Sequence, residues 1–222
     1  MITPLSTQDI ARRVAADIVE GAYVNLGIGL PMLVADQIPP GREFVLHSEN
    51  GLLGMGPAPL PAAANPDLIN AGKQPVTILP GGSFFHHADS FAMIRGGHID
   101  VSILGAYQIA ANGDLANWAL PGAKLPAVGG AMDLVAGAKQ VWVMLAAHVA
   151  KDGQPRVVER CDLPLTGLAC VDRIYSDLAV IEVTPEGLLV TDLLAGLTPE
   201  ALQAKTGATL RFAQNCRVLR AT

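Results

Sequence analysis

Apolar positions recur along this chain with two alternating periods, one helical and one strand-like. Ser6 and Asp9 form a capping box ahead of Ile10, Val14 and Ile18, which share a helix face, and Gly21 stops that helix. Tyr23-Val24-Asn25-Leu26 reads as a short strand running into Gly27-Ile28-Gly29-Leu30-Pro31, with Pro31 at the start of a second helix reaching about Gln37. Glu43 to His47 is the next strand, and Glu49 follows its C-terminal end. Gly54 to Pro66 carries Gly, Pro and Ala without a period and reads as loop. Beyond it the pattern predicts strands at 76–79, 99–104 and 141–145, with helices at 89–95 (ended by Gly96-Gly97) and 131–138. Two alternating runs, 178–183 and 188–193, flank Thr184-Pro185-Glu186-Gly187 as a hairpin. Thr198-Pro199-Glu200 starts a last helix, with Gly207 as its expected cap. Strands alternating with helices predict an α/β fold: a three-layer α/β/α arrangement around an open, mostly parallel sheet, with an antiparallel addition late in the chain. No repeat or long linker interrupts residues 1–222, so one domain is expected.

Composition narrows the function. A formal charge of −5 with no basic cluster argues against nucleic acid as a partner. Mean hydropathy is positive at +0.37, yet no apolar run reaches the roughly 18 residues needed to span a bilayer, which argues against a membrane. Asp9, Asp17 and Glu20 occupy the region where a secretory signal needs an apolar core, so a cytoplasmic location is expected. Cys161, Cys170 and Cys216 are widely spaced and odd in number, fitting reduced thiols better than a zinc site or a disulfide frame.

Several candidate constellations fail on spacing. Gly27-x-Gly29 allows a backbone to approach a phosphate, but position 32 is Met, so the dinucleotide pattern is incomplete. His86, His87 and Asp89 suggest a metal, but adjacent residues on extended backbone point to opposite faces, and no metal is expected. No G-x-S-x-G elbow exists, and Lys73 lacks Walker spacing, although its charge suits some other phosphate. Glu49 is different. It follows a buried strand, and Gly51, Gly54 and Gly56-Pro57 frame it with small, backbone-rich surroundings. An ionised carboxylate needs no base to act as nucleophile; it needs an activated acyl group and donors for the resulting oxyanion. A thioester meets that need.

The segment Leu46-His47-Ser48-Glu49-Asn50-Gly51-Leu52-Leu53-Gly54 resembles the active-site signature of the family I coenzyme A transferases, in their β subunit or β half. Further segments resemble the family in its own order: 25–29, 67–73, 90–98, 113–118 and 129–134, with the likeness running from about Leu5 to Gly207. Within the family, Phe84 to Phe91, Leu165 to Cys170 and Arg173 to Tyr175 look most like β subunits acting on 3-oxoadipate; those acting on acetoacetate are the alternative. The resemblance implies a CoA-transferase fold and a ping-pong exchange from succinyl-CoA to a 3-oxoacid through a glutamyl-CoA thioester. It implies Glu49 as nucleophile, Asn25 and Lys73 as CoA contacts, the Gly130 N–H as oxyanion donor and Asn117 on the same wall. CoA would be substrate, with no permanently bound cofactor. The partner would be an α subunit in an α2β2 heterotetramer. His86, His87 and Arg95 are left between substrate selection and local packing. An acyl-CoA hydrolase and a non-catalytic acyl-CoA-binding module are more distant alternatives.

Overall fold

The computed structural model describes residues 2–122 and 127–221. Helix α1 spans Thr7–Asp17 and begins on the expected capping box, with Ser6 Oγ accepting from Asp9 N–H and the Asp9 carboxylate accepting from Ser6 N–H. Its buried face carries Ile10, Ala11, Val14 and Ala15, and Ile18 is buried just past its end. The strands that follow build a ten-stranded sheet and a smaller one. In chain order they are β1 Tyr23–Leu26, β2 Val45–Ser48, β3 Leu52–Met55, β4 Ile78–Phe84 and β5 Val101–Gly105. Short β6 Gln108–Ala110 and β7 Leu115–Ala116 come next, then β8 Gln140–Met144, β9 Val157–Val158, β10 Arg173–Tyr175, β11 Ala179–Thr184, β12 Gly187–Leu194 and β13 Leu210–Leu219. The remaining helices are α2 His87–Arg95, α3 Ala131–Gly137 and α4 Pro199–Gln203.

The sheet order is β13-β12-β11-β10-β8-β5-β1-β2-β3-β4, and β7-β6-β9 form the small second sheet. The central run β2-β1-β5-β8-β10 is parallel throughout. Its strands are nearly continuous apolar segments (Val101 to Leu104 except Ser102, Val141 to Met144) because both faces are covered. Antiparallel pairs flank this centre on both sides. From β1 the chain moves one way to β2, then back past β1 to β5 and β8. Right-handed crossovers therefore place the β1–β2 connection on one face and α2 and α3 on the other. Contacts agree, since α1 packs on the β1–β2 connection and α2 packs on α3. The fold is α/β with helices on both sides of a mostly parallel mixed sheet.

The second helix lies where expected, at Leu30–Gln37, and is of the 3-10 type. The segment buries Pro31 and Val34, an i,i+3 pair that eclipses in a 3-10 turn, and Ile38-Pro39 forces the extended backbone that ends it. Some other expectations need correction. The region read as loop from Gly54 contains the end of β3, and β4 continues from Ile78 through Pro80-Gly81-Gly82 to Phe84. Pro80 is tolerated there because β4 is an edge strand. Gly207 does not cap α4, whose cap is Ala204. Gly207 instead lies against β9, where a β-carbon would come within 3.1–3.4 Å of Pro155, Val157 and Val158.

Candidate active site

The order β2-β1-β5-β8-β10 reverses direction between β1 and β5, and the C-terminal edge of an open parallel sheet at such a switch is where a crevice forms. A cavity of about 550 Å³ opens there. Its wall comes from the C-terminal end of β1 and the residues beyond it (Asn25 to Ile28), from the end of β5 onward (Leu104 to Tyr107), from the end of β8 onward (Met144 to Ala146), and from Gly129-Gly130 before α3. Glu49 reaches it from the end of β2.

Glu49 occupies the three-residue turn 49–51 between β2 and β3. The turn closes through Gly51 N–H to Ser48 O at 3.0 Å. Position 51 has φ +113°, and a β-carbon there would lie 2.2 Å from Phe85 O, so only glycine fits. The Glu49 carboxylate then rests against Gly130: a β-carbon at 130 would come 2.4 Å from Glu49 Oε2 and 2.9 Å from the Phe91 ring. No described residue donates a hydrogen bond to that carboxylate, and no described cation lies within ion-pair distance of it. Desolvation raises its pKa above the ordinary value, with a smaller raising contribution from Asp133 and a lowering one from His87. It is a carboxylate held in a partly dry site with no hydrogen-bond donor or cation paired to it among the described residues.

The other expected residues fall out as follows. Asn25 lines the cavity and is buried; its Nδ2 donates to His47 Nδ1 at 3.0 Å. His47 Nε2 contacts Ser90 Oγ at 2.9 Å, so the neutral ring accepts from Asn25 and donates to Ser90. Burial holds the His47 pKa down at about 4. Asn117 also lines the cavity; its Nδ2 donates to Gly105 O and its Oδ1 accepts from Thr166 Oγ1 at 2.6 Å, leaving one amide hydrogen uncommitted. The Gly130 N–H donates to no described backbone acceptor. Lys73 is exposed and stands outside the wall, on the turn whose Ala71 lines the cavity.

His86 caps α2, its Nδ1 accepting from Ala88 N–H at 3.1 Å. His87 lies on Phe91, 4.8 Å between ring centroids, and faces Glu49 electrostatically. Arg95 ties α2 to α3 through Asp133 at 2.6 Å, fixing the two helices beside Glu49. Among the described residues no group of three or more His, Cys, Asp or Glu is placed to hold a metal ion. Burial raises the Cys161 and Cys170 thiols to about 11, which removes them as nucleophiles near neutrality. No described helix is long and apolar enough to cross a membrane. Sequence reasoning missed Arg156, which lines the same cavity. Nothing in its local sequence marks it, because it arrives on the isolated segment before β9.

Comparison with known proteins agrees with this architecture. The chain is 60% identical over 208 residues to a 3-oxoadipate CoA-transferase subunit of Pseudomonas putida, covering 93% of this chain and 96% of that one. It is 49% identical over 209 residues to human mitochondrial succinyl-CoA:3-ketoacid coenzyme A transferase 2, covering 94% of this chain but only 40% of the longer relative. An acyl-CoA transferase structure from Escherichia coli O157:H7 superposes with a TM-score of 0.76 at 19% identity, over 99% of this chain and 44% of that one, a likeness of fold. The Coenzyme A transferase profile matches residues 7–203, so the chain belongs to the coenzyme A transferase family.

Proposed function

We propose that this chain is the glutamate-bearing subunit of a two-subunit enzyme that moves CoA from succinyl-CoA to a 3-oxoacid, with 3-oxoadipate as acceptor. The observation that carries this reading is the Glu49 carboxylate, desolvated and free of hydrogen bonds from the described residues, aimed into a cavity at the sheet's C-terminal edge. Its Oε attacks the thioester carbonyl, the C–S bond breaks and CoA leaves as thiolate, giving a mixed anhydride. The thiolate attacks the glutamyl carbonyl and breaks its C–O bond. Succinate departs and CoA remains on Glu49 as a thioester. The 3-oxoacid carboxylate then attacks that thioester and expels the thiolate, which takes the acyl group from the new anhydride and restores Glu49. One thioester replaces another, so the scheme calls for neither ATP nor a metal.

Gly130 N–H and the amide hydrogen of Asn117 that no described residue accepts would serve as oxyanion donors, and removing one such donor typically costs about 3–4 kcal/mol of barrier. Asn25 and Lys73 would hold the CoA portion. A second chain completes the site. The matched segment is 40% of the human relative's length, so that protein carries more than this unit. Acetoacetate is the competing acceptor, favoured by the likeness to the 3-ketoacid transferases; comparing steady-state kcat/KM for the two acids decides between them.

The test is to mix the chain, its partner subunit and succinyl-CoA, reduce with borohydride and map the peptides. Conversion of the Glu49 carboxyl group to a primary alcohol, with release of CoA thiol, is expected. Its absence, or turnover retained by Glu49→Gln, rejects the covalent route. Glu49→Gln also has an expected effect on stability. The raised pKa means the folded state binds protons more tightly than the unfolded chain above 4.5, so the carboxylate's contribution declines as pH rises. At neutral pH Glu49→Gln should melt no lower than its parent.

A further inference from the structure

Among the described residues, Arg156 is the only basic side chain lining the cavity and Glu49 the only acidic one. The rest of that wall is largely aliphatic, with Leu26, Ile28, Leu104, Leu134, Met144 and Leu145 prominent. Arg156 is half-buried, and its Nη1 donates to Ala106 O at 3.3 Å and to Tyr107 O at 3.4 Å. These bonds orient the guanidinium against the loop after β5 and occupy one of its nitrogens. The Nε and Nη2 donors have no described acceptor. No described carboxylate lies within 4.0 Å of it, whereas Arg13, Arg42, Arg95, Arg173 and Arg217 are all in ion pairs. A half-buried, oriented guanidinium with free donors is suited to binding an anion, and its geometry matches a carboxylate in bidentate fashion.

We infer that Arg156 is a specificity residue that binds the distal carboxylate of a dicarboxylic acyl group. The inference rests on the reading of Glu49 as the acyl acceptor and adds the substrate class of its cavity. An acyl group that reacts at Glu49 and bears a second carboxylate must place that anion in an apolar pocket already holding one negative charge. The second anion needs a fixed cation beyond ion-pair distance from Glu49, and among the described residues Arg156 is the one the wall offers. Succinyl and 3-oxoadipyl groups both carry such a carboxylate, so the same guanidinium serves the donor and the acceptor half-reactions. Acetoacetate carries none. An acyl group without the distal charge forgoes the ion pair with Arg156 and is disfavoured relative to a dicarboxylic one.

The experiment compares the parent, Arg156→Lys and Arg156→Gln, each assembled with the partner subunit. Arg156→Gln is expected to lower kcat/KM for 3-oxoadipate by roughly 10- to 100-fold, not to lower that for acetoacetate, and to make succinate no better an inhibitor than butyrate. Arg156→Lys should fall between. Equal losses on dicarboxylic and monocarboxylic acids would overturn the inference, assigning Arg156 to holding the loop after β5. A loss that follows every CoA ester alike, with acid discrimination intact, would overturn it in favour of a CoA phosphate. Thermal-shift titration with succinate and butyrate requires no turnover. If the parent assembly fails to transfer CoA, the proposed function fails while this titration still reads Arg156.

Discussion

At the scale of single residues the site depends on small distances around one carboxylate. Gly130 has φ −84°, a conformation open to any residue, so Gly130→Ala adds no backbone strain. Its methyl would nonetheless claim the space 2.4 Å from Glu49 Oε2. Such a variant, which also presses on the Phe91 ring, should lose only modest stability yet lose transfer by about 100-fold, the cost of misplacing a reacting group by about 1 Å; paired melting curves and steady-state rates check both halves. A second prediction concerns His47 and His148, each held near pKa 4 by burial. Unfolded histidines titrate near 6.5, so between pH 6.5 and 4 the unfolded chain binds more protons. Their contribution to stability is complete above 6.5 and is lost as pH falls through that window. Replacing either by Gln should flatten the decline in unfolding free energy from pH 6.5 to 4 relative to the parent; an unchanged slope contradicts it. His47 links this to the site, because protonation removes the Nδ1 lone pair that anchors the Asn25 amide.

At the scale of elements, the β2–β3 hairpin is the device that presents Glu49. Gly51→Ala meets both a positive φ and the Phe85 carbonyl, so it should destabilise by at least about 2 kcal/mol, read as a lower denaturant midpoint, and should disorder Glu49 as well. The same hairpin shows where sequence reading succeeds and stops. Glu49, Asn25, Gly130 and Asn117 all line one cavity, and the resemblance had already named them. The α1 capping box and the 179–194 hairpin were legible because their chemistry is local: Ser6 with Asp9, and Gly187 at φ +110°. β3 was not, since Leu52-Leu53-Gly54-Met55 is too short to show a period and is held by pairing with Ser83 and Phe84 far along the chain. β13 escaped notice for a related reason. Its pairing with β12 shifts register between Val190 and Asp192, which breaks the two-residue alternation that marks a strand. Arg156 was invisible because its significance lies in what it lacks, a carboxylate partner among the described residues, and only the tertiary structure establishes that.

At the scale of the whole molecule, the ten-stranded sheet ends on one side in β4, whose outer edge pairs with no described strand. Leu79 and Phe84 on that strand are 44% and 66% exposed, unusual for large apolar side chains on a sheet edge. Pro80 and the glycines after it blunt the edge against pairing with further strands, yet they leave the two apolar side chains uncovered. The proposed function supplies a cover: a partner subunit docked beside the β2–β3 hairpin, close enough to close the cavity over Glu49. β4 pairs directly with β3, so a chain resting on it would lie one strand from the turn that holds the nucleophile. On this account Phe84→Glu weakens association with the partner by at least about 10-fold, the loss expected when a charge replaces a buried interface aromatic. The melting temperature of the isolated chain should stay close to the parent's, because Phe84 is not in its core. Activity at low protein concentration should fall with assembly and recover when the partner is supplied in excess. Sedimentation of the mixed chains alongside transfer rates measures both, and unchanged association would place the partner elsewhere on the surface.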